Sequence, residues 1–126
     1  MKAKGLGLLG EELAEKRLRA SGYAILDRNW RTREGEIDIV AREGDVIVFV
    51  EVRARRTDTF GLPEESITFR KKERLLKAAL AYIEEKGLFE LDCRFDLIAL
   101  ELSRGGKVLR LEHFVDVIEA DGRWIQ

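Results

Sequence analysis

The chain has 126 residues, with 23 Lys and Arg against 24 Asp and Glu and a formal net charge of −1. That length predicts a single domain over residues 1–126 with one core between a sheet and its flanking helices, and the near-zero balance excludes an argument for nucleic-acid binding from net charge alone. Cys93 is the only cysteine, which excludes an internal disulfide framework and a Cys-based zinc site and points to a reducing, cytoplasmic setting. No run reaches transmembrane length, and the Leu6 to Leu9 patch ends too soon for a signal-peptide core, so no membrane partner is expected.

Residues 7–20 predict a helix, with Leu9, Leu13 and Ala20 on one side, Ala14 and Leu18 extending it and Gly22 as its stop. Glu11 shares the spacing of Ala14 and Leu18 and leans toward the buried side, whereas Glu12 and Glu15 read as solvated. Tyr23 to Trp30 predicts a strand, and its end, Arg28-Asn29-Trp30-Arg31-Thr32-Arg33, sets three arginines around a Trp expected at the surface.

The next two strands carry the chemistry. Glu36 to Ala41 alternates and Val46 to Val52 is an almost unbroken β-branched run, so both read as strands. If Gly44 and Asp45 are the centre of a tight hairpin, Asp38 faces Glu51, Glu36 faces Arg53 and Val40 faces Phe49 on one face. Ile37, Ile39 and Ala41 then face Val52, Val50 and Val48 on the other, wholly apolar, face. Opposed carboxylates with Cβ atoms roughly 5 Å apart repel each other. A hard divalent cation such as Mg²⁺ between Asp38 and Glu51 offsets that repulsion, which makes the pair a candidate metal site. A slip of one residue in register is the alternative; it would send the two acids to opposite faces.

Residues 54–65, with Gly61 and Pro63, predict a long loop. From Val52 to Lys77 basic residues outnumber acidic ones, so positive charge flanks the acidic pair. Thr68 to Lys86 predicts a second helix with Leu75, Leu76, Ala79, Leu80 and Ile83 as its apolar face, Arg74 and Lys77 solvated, Lys71 at the border and Gly87 as its stop. Cys93 to Leu102 predicts a strand with Cys93 in the core, Ser103 to Gly106 a turn, and Val108 to Val117 a last strand on which His113 is structural. The expected order is αβββαββ, with the first three strands as an antiparallel meander in a mixed α/β sheet flanked by helices.

Several stretches together resemble the YraN-type family: Gly7-Leu8-Leu9-Gly10-Glu11-Glu12-Leu13-Ala14, Gly22-Tyr23, Asn29-Trp30-Arg31, Gly35-Glu36-Ile37-Asp38, Val48 to Arg55, Lys71 and Arg94-Phe95-Asp96. The resemblance implies a restriction-endonuclease-like fold related to archaeal Holliday junction resolvases and PD-(D/E)XK nucleases. It implies Glu11, Asp38 and Glu51 as metal ligands for Mg²⁺ or Mn²⁺, and Lys71 at a basic helix-start position. Ile37 stands where the superfamily has Pro, and Arg53 where it has a catalytic Lys. An arginine stays protonated and cannot serve as a base, so Arg53 is expected to hold a phosphate oxygen or to pair with Glu36. The implied catalytic set is thus Asp38, Glu51, Arg53 and Lys71. Trp30, Arg31, Arg33, Arg55, Arg56, Lys71 and Arg74 are expected to contact nucleic acid, with Trp30 stacking on a base or wedging a junction. The expected activity is metal-dependent hydrolysis of structured or branched DNA, with a homodimer by analogy; the alternative is a decayed nuclease scaffold that binds nucleic acid or protein.

Overall fold

The computed structural model describes residues 5–57 and 61–118. Its elements are α1 (Gly5–Ala20), β1 (Ala24–Arg31), β2 (Glu36–Glu43), β3 (Val46–Arg56), a single 3-10 turn (Pro63–Ser66), α2 (Phe69–Lys86), β4 (Asp92–Leu102) and β5 (Val108–Phe114). The five strands form one sheet in the order β1-β2-β3-β4-β5; every neighbouring pair is antiparallel except β3 and β4, which α2 connects in parallel. This is the mixed α/β arrangement expected of a restriction-endonuclease-like fold.

Gly44, at φ +59, supplies the positive angle a tight hairpin needs at its first central position, and Glu43 pairs with Val46 across it. Arg42 latches the turn by donating to the Gly44 carbonyl and to Asp45. The expected register follows: Val40 faces Phe49 and Ala41 faces Val48.

Two apolar layers enclose the sheet. On the α1 side Ala14 and Leu18 pack on Ile39, Ala41, Val48, Val50, Ile98 and Leu100. On the α2 side Leu75, Ala78, Ala79 and Tyr82 pack on Val40, Phe49 and Leu97. The buried face of α1 is Gly10, Ala14 and Leu18, a strict i, i+4, i+8 row, and Ala20 is exposed, contrary to the spacing argument. Gly10 marks the closest crossing: a Cβ there would lie 2.9 Å from the Ala54 Cβ on β3, so α1 rests directly on the strand that carries Glu51.

Tertiary partners moved several expected boundaries. β3 runs on to Arg56 because β4 pairs with it as far as Leu102, so the loop begins later than its composition suggests, and Pro63 starts a 3-10 turn within it. β5 stops at Phe114 rather than Val117, since Asp116 takes φ +60 and turns the chain back, its N–H donating to Asp96 and that of Val117 to Phe95. Cys93 is exposed, not core, because β5 pairs with β4 only from Leu97 onward and leaves the start of β4 uncovered on that side. Leu80, expected inside, is 55% exposed. His113 is structural, its Nε2 standing 2.8 Å from Oδ2 of the fully buried Asp96. Arg94 donates to the same carboxylate, whose pKa is held below the usual range by His113, Arg94 and the Asp116 N–H against the opposing effect of burial. Among the described residues no helix is long and apolar enough to cross a membrane.

Candidate active site

β1 and β2 both break their alternation at one level, and that break builds the site. Asp27 reaches Tyr82 of α2 and Arg28 reaches Glu15 of α1, as neighbours on a strand should, yet Trp30 packs edge-on against Tyr82 with ring centroids 5.1 Å apart. Arg28 and Trp30 would share a face in a regular strand. Asn29 between them has φ +53, a left-handed angle that Asn tolerates better than most residues, and it flips the strand over. On β2 their partners Ile39 and Ile37 likewise go to opposite layers, so the expected wholly apolar face does not include Ile37.

Asp38 lies at the level of the flip. The β2–β3 ladder ends one pair earlier, at Ile39 and Val50, and there the two strands fork. Asp38 Oδ2 accepts the Val52 N–H at 2.8 Å, taking the bond a continuing strand would have taken. Its carboxylate therefore lies in the mouth of the fork beside Glu51, the juxtaposition expected from the hairpin register, and a slipped register is ruled out.

The fork opens into a cleft of about 380 Å³ whose lining includes Gly7, Glu11, Glu36, Asp38, Glu51, Arg53, Lys71 and Arg74. Burial, joined by the negative charges of Glu11 and Glu36, raises Asp38 to about 6 against the pull of the Val52 N–H. Burial and the charge of Asp38 raise Glu51 to about 8, against the pull of Arg53 and Lys71. At neutral pH the pair thus holds a proton between its two hydrogen-bonded carboxyls.

One wall of the cleft is cationic, and one residue that sequence reasoning missed organises it. Arg53 Nε donates to Ser66 Oγ at 2.8 Å while its Nη1 lies 3.6 Å from Glu51. Lys71 Nζ reaches the Ser66 carbonyl at 3.4 Å, and the Ser66 hydroxyl donates to Pro63 O. The 3-10 turn is itself tied to the far strands by Glu64, which accepts from Arg110 at 2.7 Å, and Arg110 also holds Glu101 and Glu112. Only the neighbourhood of Pro63 hinted at a turn; nothing local in the sequence announced what Ser66 touches. The pairing of Arg53 with Glu36 does not form: Glu36 holds Arg31 at 3.0 Å instead, since the strands have parted at that level.

Arg74 donates to the Glu34 carbonyl, and Gly35 lies so close to the Arg74 backbone that a Cβ would collide with its carbonyl oxygen. The Gly in Gly35-Glu36-Ile37-Asp38 is thus the close-approach residue that lets the β1–β2 loop seat against α2. Glu11 lines the cleft from α1 but leans to Arg28, its Oε1 3.5 Å from Nη2. Among the described residues no three of His, Cys, Asp and Glu converge closely enough to hold a metal ion without side-chain movement. Of the other expected nucleic-acid contacts, Arg31 and Arg33 are exposed around the β1–β2 loop and Arg55 lies on β3 beyond Arg53. Arg56 lines a separate small cleft with Ser103 to Gly106, and Trp30 is half-buried in the α2 layer rather than presented at the surface.

The donor set fits a hard divalent cation. It consists only of oxygens, two of its carboxylates are adjacent and share a proton that a cation would replace, and the third is held by a contact too long for a hydrogen bond. The site residues fall inside or beside residues 10–100, over which the chain matches the model of the Uncharacterised protein family UPF0102. The chain belongs to the UPF0102 family. This is the YraN-type family that its motifs resemble. Among UPF0102 proteins it is 53% identical to one from Pelotomaculum thermopropionicum over 88% of this chain and 92% of that one. It is 42% identical to one from Dictyoglomus turgidum over 90% of this chain and 96% of that one. A UPF0102 protein from Moorella thermoacetica is 48% identical over 84% of this chain and 88% of its own.

Proposed function

We propose that this chain is a metal-dependent nuclease that hydrolyses phosphodiester bonds in structured or branched DNA, in the cytoplasm, through one domain. The observation that carries the reading is the half-buried Asp38–Glu51 pair in the mouth of a strand fork, with cations along one wall. Mg²⁺ or Mn²⁺ would be held by Asp38 and Glu51, with Glu11 joining directly or through water. Bound there, it would lower the pKa of a water and offset charge on the scissile phosphate. Asp38 is fixed by the Val52 N–H, so one ligand is already oriented. Arg53 is held at Nε by Ser66 and turns the rest of its fork toward Glu51, where it can take a phosphate oxygen as charge builds. It cannot remove a proton, and neither it nor Lys71 is assigned as the base. Lys71, Arg74, Arg31 and Arg33 would hold the flanking backbone.

A second reading is favoured by two particulars: Arg53 at the lysine position, and Glu11 engaged with Arg28. On that reading the domain binds nucleic acid or protein without cleaving. The nuclease reading expects Mg²⁺-dependent cleavage of a junction or flap that disappears in Asp38→Ala and Glu51→Ala. If wild type and both variants behave alike, it fails. The binding reading expects salt-sensitive retention of DNA that survives those changes and weakens when Arg55, Arg56 and Lys71 are neutralised. Two chains around one substrate form part of the nuclease reading.

A further inference from the structure

The third acid of the cleft has a rival partner. Glu11 and Glu15 stand one turn apart on α1, and Arg28 of β1 reaches both. Its Nη1 donates to Glu15 Oε1 at 3.1 Å, whereas its Nη2 lies 3.5 Å from Glu11 Oε1, beyond a good hydrogen bond. Arg19, one turn further along α1, donates to the other oxygen of Glu15 at 2.9 Å. Charge therefore alternates along one row: Glu11, Arg28, Glu15, Arg19.

The hold of Arg28 on Glu11 is a loose one. Arg28 is half-buried, and its Nε is cut off from water with no acceptor among the described residues. A guanidinium has more N–H donors than are used here, so its own bonding does not fix it against Glu11. Glu11 also lines the cleft and feels the negative charge of Asp38, which pushes it toward Arg28. A cation beside Asp38 would reverse that push. Letting Glu11 go would not strand Arg28, because Glu15 still holds it. A withdrawn charge left with no partner at all would be costly.

We propose that Arg28 is the positioning residue of the third ligand: it parks Glu11 against β1 and gives it up when a divalent cation enters the cleft, while Glu15 keeps the guanidinium paired throughout. The inference rests on the cation reading of the cleft given under the proposed function. On it the contact between Glu11 and Arg28 belongs to a working site rather than to a decayed one. Arg28 touches neither cation nor substrate; it acts through Glu11.

Titration of Mn²⁺ alone into the full chain, with free Mn²⁺ read by electron paramagnetic resonance and no nucleic acid present, tests this apart from activity. Arg28→Met should bind Mn²⁺ about five-fold or more tightly than the wild type, and in a Glu11→Gln background the same substitution should change affinity by less than about two-fold. Glu15→Gln leaves Arg28 with Glu11 alone and should weaken Mn²⁺ binding, again only while Glu11 is present. That second cycle carries the test if Arg28→Met melts too low to titrate. Equal tightening in both backgrounds would mean that Arg28 repels the cation by its charge alone, and overturns the proposal. So does weaker binding by Arg28→Met in both backgrounds, the mark of a merely structural residue. A wild type that binds Mn²⁺ with no coupling between residues 11 and 28 overturns this inference and leaves the cation reading standing. Silence from the wild type and from Arg28→Met alike overturns both.

Discussion

Burial holds the Asp38 and Glu51 carboxyls against their charged forms, and that has a consequence for stability. Both have folded-state pKa values raised by burial, to about 6 and about 8, above the ordinary carboxylate range near 4. Between pH 4 and 8 the folded state therefore holds more protons than the unfolded one, and stability without metal should fall as pH rises through that window. Asp96 and Glu64, whose pKa values are lowered, act the other way but only below about pH 4, so they do not mask the effect. Urea unfolding in chelator should lose on the order of 5 kcal/mol between pH 5 and pH 9, and Glu51→Gln should remove most of that slope. An unchanged slope in the variant would mean the pair is not strained. The acids were legible in the sequence because two carboxylates in apolar strands demand a partner. That Asp38 is fixed by the Val52 N–H was not, because it depends on the ladder stopping one pair short. At the same scale, Ser66→Ala should release Arg53 and weaken Mn²⁺ retention or cleavage while costing only about 1 kcal/mol of stability, and Ser66→Thr should restore function. Equal function in Ser66→Ala would reduce the 3-10 turn to a simple connection.

At the level of elements, the site depends on two strands turning over together. Asn29 carries the flip on β1, so Asn29→Gly should be tolerated, whereas Asn29→Val, which resists a positive φ, should cost roughly 1–3 kcal/mol and displace Asp38. Gly35→Ala should likewise push the β1–β2 loop off α2 and lower cation affinity, read by calorimetry with a thermal melt as the control for folding. A Gly35→Ala protein with unchanged melting and binding would show that the close approach to Arg74 is dispensable. The hairpin was readable from Gly44, the alternation over Glu36 to Ala41 before it and the β-branched run from Val46 to Val52 after it. The flip was not, since period-two reasoning assumes an unbroken strand and Asn29 looks like any polar residue before a turn. α2 illustrates a related limit: its apolar spacing predicted Leu80 inside, but one sheet covers only part of the arc.

Across the whole molecule, the order of elements and the mixed sheet followed from alternation, helix stops and turn residues, and they came out as expected. The parallel pairing of β3 with β4 carries β3 past Glu51 to Arg56, and it is a long-range choice that no local window records. The same is true of Arg110, which ties the 3-10 turn to β4 and β5 and so links the edge of the sheet to the cationic wall. The account as a whole stands on a cation entering the strand fork. Titration of Mn²⁺ into the metal-free protein, followed by electron paramagnetic resonance at pH 6 and pH 8, tests this before any substrate is chosen. A saturable site that tightens with rising pH, as the shared proton leaves, and that disappears in both Asp38→Asn and Glu51→Gln is the predicted result. Binding that is absent from the wild type, or equal in all three proteins, would contradict it.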